Sequence, residues 1–159
     1  MAGPVMVRRG RSGDVEALVG FSVAMARESE GLVLDPGPVR RATSAALEDP
    51  AKARYFVAEA GGKVVGSLFV TQEWSDWRGG WYWWIQGVYV VPGWRGRGVY
   101  RALHEGVRQA AQEAGDVRAI RLYVEQGNEA ARAVYEAMGM AETPYRVYEE
   151  AVPDADGVA

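Results

Sequence analysis

Apolar positions along the chain switch between two periods, and each switch marks an element. Residues 5–9 read as a short first strand. Behind Asp14, a residue suited to a helix N-cap, Val15, Leu18, Val19, Val23 and Met25 recur at helical spacing. A second helix is predicted over residues 37–48, set off by Asp35 and Pro36 and closed before Pro50, with residues 28–34 as the loop between the two. Residues 55–60 and 63–70 flank Gly61 and Gly62, a two-glycine connection that supplies the positive φ angles of a tight hairpin. A further turn over residues 75–80 returns the chain into a strand over residues 81–91, completing a three-stranded antiparallel meander in which Gly87 marks a bulge.

The period then becomes helical. Val99, Ala102, Leu103, Val107, Ala110 and Ala114 share one side of a helix that Gly115 ends. Residues 120–125 read as a strand, and the intervening helix makes a right-handed crossover that sets it parallel to residues 81–91. Asn128 caps a last helix carrying Ala131, Val134, Tyr135 and Met138, with Gly139 at its end, and residues 145–152 read as a closing strand. Together these elements predict an α/β fold: a mixed, mostly antiparallel sheet with one parallel strand pair, flanked by about four helices. One domain over residues 1–152 and a tail over 153–159 account for the whole chain.

Composition narrows the function classes. The 159 residues include no cysteine, which removes disulfide scaffolds and thiolate metal sites, and the N-terminus lacks the apolar stretch of a signal peptide or membrane helix. A cytoplasmic location without membrane association is the expectation. A net charge of −3 argues against a nucleic-acid binder, although Arg95, Arg97 and Arg101 form a local basic patch suited to a small polyanion. All six tryptophans fall in the stretch from Trp74 to Trp94. His104, one residue past the core position Leu103, is expected on the surface, and no metal site is expected.

The chemistry concentrates where the strand over residues 81–91 empties into Gly93, Trp94, Arg95, Gly96, Arg97 and Gly98 before a helix. Glycines let backbone N–H groups approach a ligand in one concave nest, and the helix behind them adds its positive dipole end, so phosphate is the expected guest. Two phosphate motifs fail on the letters. A dinucleotide fingerprint from Gly96 would need glycine where Arg101 stands, and a Walker-type loop from Gly93 would need Lys followed by Ser or Thr where Val99 and Tyr100 stand.

Residues 95–100 instead match the [Q/R]-x-x-G-x-[G/A] pyrophosphate loop, and residues 128–140 match an N-x-x-A-x-x-x-Y-x-x-x-G-[FM] segment. On these two motifs the chain resembles the GNAT acyltransferases, from its first strand to its last. The resemblance implies the GNAT fold, with the parallel strand pair splayed apart, and an N-acetyltransferase passing the acetyl group of acetyl-coenzyme A directly to a primary amine of a small molecule. It implies donor contacts at Arg95, Gly96, Arg97, Gly98, Val99 and Tyr100, at the backbone of Val88, Tyr89 and Val90 along the pantetheine arm, and at Asn128, Ala131 and Tyr135. Tyr100 departs from the motif's final Gly or Ala, so its ring is expected to lie along the helix surface, away from the phosphates.

For the chemistry, the resemblance names Tyr135 as general acid toward the leaving thiolate. Periodicity alone also fits packing for Tyr135, on the apolar side of its helix. The strand before the loop carries no carboxylate; Gln86 is its polar side chain and positions water, while Glu73 and Glu125 are the carboxylates placed to serve as base, with exposed surface as the alternative. Trp74, Trp77 and Trp81 beside Glu73 and Asp76 suggest a cationic or aromatic amine as acceptor. A homodimer is a further expectation. The competing classes are a non-catalytic coenzyme A sensor and a protein-interaction module.

Overall fold

The computed structural model describes residues 3–154. They form two compact units, divided between Tyr123 and Val124.

The first unit is built on a five-stranded sheet in the order β1 (Met6–Arg9), β2 (Arg54–Ala60), β3 (Lys63–Ser75), β4 (Gly80–Val90) and β5 (Val117–Leu122). The first three pairings are antiparallel and β4 pairs with β5 in parallel, as the crossover through α3 (Val99–Ala114) requires. Phe56, Ala58 and Ala60 of β2, Leu68 and Val70 of β3, and Trp83 and Ile85 of β4 alternate onto one face, where they meet Val99, Leu103, Val107 and Ala111 of α3. The opposite face receives α1 (Val15–Glu30), whose Phe21 ring stacks 5.1 Å from that of Tyr89, and α2 (Pro36–Glu48). Arg8 of β1 holds Asp14 with two guanidinium bonds of 2.8 and 2.9 Å and Glu59 with a third of 2.9 Å, tying the start of α1 to the sheet.

Several boundaries differ from the sequence reading. Asp14 stands at the N-cap position of α1, but its carboxylate accepts from Arg8 and from the Arg11 N–H rather than from the helix's first turn. Residues 28–30 belong to α1, which continues until Gly31 at φ 65° ends it. Strand β5 lies three residues earlier than residues 120–125, because its register is set by β4: Trp81 pairs with Val117 and its N–H bonds the Asp116 carbonyl at 2.8 Å.

The second unit contains α4 (Glu129–Ala137), capped by the Asn128 side chain, which accepts from the Ala131 N–H at 3.1 Å. Residues 145–152 form no strand; Tyr145, Val147, Tyr148 and Val152 are exposed, and alternation without a ladder partner leaves the segment irregular. The expected tail over residues 153–159 lies outside the described residues from position 155 onward.

Candidate active site

Strand β4 changes face at Gly87. Ser67 of β3 pairs with Tyr89 and Phe69 pairs with Gln86, so Leu68 faces two residues, Gly87 and Val88. This is a bulge, with Gly87 at φ 59°. It returns Val88 and Val90 to the α3 side, and it turns Tyr89 to the α1 side with Tyr82, Trp84 and Gln86. Pairing with β5 stops at Ile85 and Leu122, whereas β4 continues to Val90. Among the described residues, no strand pairs with the β5-facing edge of β4 beyond Ile85.

The chain then makes a short 3₁₀ turn (Pro92–Trp94) and enters the glycine loop. Gly96 and Gly98 adopt φ angles of 71° and 79°, and Gly98 is the N-cap of α3 without a side-chain cap. The first N–H groups of α3 therefore point out of its end unclaimed by a capping side chain. A Cβ at Gly93, Gly96 or Gly98 would meet no atom within 4 Å, so each has open space on its Cβ side. Val99 at the helix start is buried in the core and anchors the loop from behind.

The arginines divide. The Arg95 guanidinium is engaged by its own chain: Nη2 bonds Glu28 at 2.7 Å and Nε donates to the Val90 carbonyl at 2.9 Å. The Glu28 carboxylate also accepts from the Tyr89 hydroxyl at 3.1 Å, so the last turn of α1, the end of β4 and the loop share one network. The Arg95 contact, more than the Tyr89 hydroxyl, holds the Glu28 carboxyl below its usual range. Arg97 lies 5.5 Å from the Trp94 ring centroid, and both Arg97 and Arg101 are exposed.

Tyr100 does run along the helix: its hydroxyl shares a 2.9 Å hydrogen bond with Nδ1 of His104, one turn on. His104 is therefore not a surface residue. It is 1% exposed, because α3 lies across the sheet broadly enough to bury the position next to Leu103, and burial pushes its pKa below the usual histidine value.

Glu73 and Gln86 also lie on the α1 side of the sheet. Gln86 donates to the Thr71 hydroxyl at 2.7 Å. Glu73 accepts from Trp84 Nε1 at 3.3 Å and faces Arg121 Nη1 at 3.4 Å. Trp74 and Trp81 pair edge-on at 4.9 Å, and Trp77 is 94% exposed. Adjacent strand residues point to opposite faces, so Glu73 is grouped with Trp84 and Tyr82 instead of with the tryptophans expected from the sequence.

In the second unit, Asn128 and Ala131 form the cap of α4, and Glu125 is exposed just before it, its carbonyl accepting from the Asn128 N–H at 3.0 Å. Tyr135 lies two turns into α4, and burial raises its hydroxyl pKa above the usual tyrosine value.

Glu28, Tyr82, Trp84 and Arg121 belong to these networks, and the sequence reading did not single them out. Glu28 could have been found from its spacing of seven to Phe21, two helical turns along one face. The others depend on strand register.

A model of the Acetyltransferase (GNAT) family matches residues 24–140. Among solved structures, a possible acetyltransferase from Clostridium difficile 630 is 35% identical, with a TM-score of 0.86, covering 93% of this chain and 97% of its own. An integron cassette protein from the mobile metagenome of Cole Harbour Salt Marsh is 27% identical, with a TM-score of 0.80 over 92% and 90% of the two chains. AAC(6')-Iy in complex with the bisubstrate analog CoA-S-monomethyl-acetylneamine shares the fold at 18% identity, with a TM-score of 0.74 over 94% and 99%. None of the curated proteins matches the chain.

Proposed function

The chain belongs to the GNAT acetyltransferase family, and from that premise we propose that it transfers the acetyl group of acetyl-coenzyme A directly to a primary amine of a small-molecule acceptor. The observation that carries this reading is the junction of β4 with its loop: a strand edge that no described strand pairs with after Ile85, continuing into a glycine nest at the head of α3. An extended pantetheine arm fits the first, and a pyrophosphate fits the second.

The donor supplies an activated thioester carbonyl, and the roles that follow belong to the chain. Backbone groups of Val88, Tyr89 and Val90 bind the arm along the open edge. The N–H groups of Gly96, Arg97, Gly98, Val99 and Tyr100 hold the phosphates, with Arg97 and Arg101 adding charge from the rim. Arg95 supports the loop by its bond to the Val90 carbonyl. Asn128 and Ala131 form the start of the second donor-binding segment, and Tyr135 donates a proton toward the departing thiolate. A tyrosine hydroxyl is protonated at neutral pH, and burial moves that of Tyr135 further above its usual value. Proton removal from the acceptor passes through water positioned by Gln86, with Glu125 as the terminal base; Glu73, engaged by Trp84 Nε1 and Arg121, serves binding instead.

One observation favours a second reading, a coenzyme A sensor without turnover: β4 carries no carboxylate on either face. The neighbour bound to CoA-S-monomethyl-acetylneamine supports the catalytic reading and a small-molecule amine acceptor. A single acetyltransferase domain over residues 1–152, a cytoplasmic location and a homodimer complete the proposal. No helix among the described residues is long and apolar enough to cross a membrane.

The test is thiol release from acetyl-coenzyme A across polyamines, aminoglycosides and amino-acid amines. The chain holds no cysteine, so free thiol reports the product alone. Acceptor-dependent release supports transfer. Donor binding without release from any amine would replace this reading with the sensor.

A further inference from the structure

The α1-side face of the sheet holds a cation in a carboxylate and aromatic setting, and that cation belongs to the protein. Arg121 of β5 pairs with Trp84 of β4, and Glu73 of β3 pairs with Tyr82. The Arg121 guanidinium carbon lies 3.8 Å from the Tyr82 ring centroid and 5.6 Å from that of Trp84. Its Nη1 is 3.4 Å from Glu73 Oε2, and Tyr123 stacks on Trp84 at 4.5 Å with 20° between the rings. Two ring faces and a carboxylate converging on one point are what a cationic ligand needs.

Of the contacts that hold the Arg121 side chain, itself 26% exposed, the ion pair is the weak one. A charge-assisted contact to a carboxylate is normally about 2.7–2.9 Å, well short of the 3.4 Å seen here. The Glu73 side chain is 48% exposed, so solvent screens the pair. Arg121 is long enough to leave toward solvent without moving the backbone, and a ligand cation entering its place would keep every favourable contact.

Resting on the acetyl-transfer reading, we propose that Glu73, Tyr82 and Trp84 recognise a second positive charge on the acceptor, apart from the amine that reacts, and that this charge displaces Arg121. Arg121 is thus a specificity-determining residue that acts as an internal competitor. The place of this patch in the fold sets the acceptor's size. The unpaired edge begins at Gln86, two strand residues from Trp84, or roughly 7 Å at about 3.3 Å per residue. A flexible polyamine spans that distance with a second ammonium group in the patch. A monoamine has no second charge to place there, and it gains nothing from the patch.

The experiment measures spermidine against butylamine on the full chain, first as binding without donor, by tryptophan fluorescence and calorimetry, then as KM in the thiol-release assay. Arg121→Ala, with Arg121→Thr as a strand-compatible second variant, is expected to tighten spermidine about 3–10-fold, the worth of a weak ion pair and a cation–ring contact no longer competing. Butylamine should stay within about twofold, since it does not use the patch. Glu73→Gln is expected to weaken spermidine and to cancel the gain when combined with Arg121→Ala. An Arg121 with a purely structural role would weaken or leave unchanged the binding of both amines, and that result overturns the inference. So does a parent and variants that bind no spermidine. If spermidine binds and responds as expected while no thiol is ever released, the acetyl-transfer reading fails and the cation patch stands.

Discussion

Replacing Gly87 by alanine tests the bulge on which the site geometry depends. The residue sits at φ 59°, where an L side chain costs about 1–2 kcal/mol. A Cβ built there lies 2.6 Å from Cε1 and 2.9 Å from Cδ1 of Phe69, so the ring must shift, at about 1–3 kcal/mol for an overpacked contact. The sum is about 2–5 kcal/mol, or roughly 5–15 °C in Tm for a chain of this size. Urea denaturation of the parent, Gly87→Ala, Phe69→Leu and the double variant separates the two parts. Phe69→Leu removes the ring edge, so the double variant should be less destabilised than the sum of the single ones by about 1–2 kcal/mol. A loss under about 0.5 kcal/mol in Gly87→Ala would refute the bulge, because a regular strand at this position tolerates alanine with changes of that size.

Other perturbations carry distinct signatures. The Asp14 side chain is almost wholly buried against Arg8, whose hydrogen bonds lower its carboxyl pKa below the unfolded value. Its contribution is therefore present above about pH 4 and lost as pH falls through the folded value. Asp14→Asn should cost about 2–4 kcal/mol at pH 7, with the gap to the parent closing in acid, as read by urea midpoints across pH. His104 has the opposite charge and a depressed pKa, so the unfolded chain takes up its proton first. Parent stability should fall as pH drops below about 6.5, and His104→Gln should flatten that slope. Tyr135→Phe should lower kcat about 10²-fold with the KM for acetyl-coenzyme A within about twofold; a larger change in KM than in kcat would assign the ring to binding.

The elements that local chemistry dictates were legible in the sequence. Gly61 and Gly62 announce the hairpin, Gly87 the bulge, and Gly98 with Gly115 the two ends of α3. What depends on a distant partner was not legible. The run over residues 120–125 looks more strand-like than residues 117–122, yet β4 sets the register three residues earlier. Residues 145–152 have a strand's alternation and no ladder, since alternation describes a strand's faces and does not supply a neighbour. His104 is buried because of how α3 lies on the sheet, which helical spacing does not reveal. Glu73, Tyr82, Trp84 and Arg121 meet only once three strands are in register, so the sequence placed Glu73 among the wrong tryptophans.

The most direct test of the donor site is calorimetric titration of acetyl-coenzyme A into the parent and Gly98→Val. Gly98 sits at φ 79° with open space on its Cβ side, so valine strains the positive-φ backbone by about 1–2 kcal/mol and disturbs the N–H groups that the loop presents, without an overpacked contact. The account predicts saturable binding by the parent and at least about a tenfold loss in the variant, with the variant still folded. A folded parent that does not bind, or a Gly98→Val chain that binds as tightly, would contradict it.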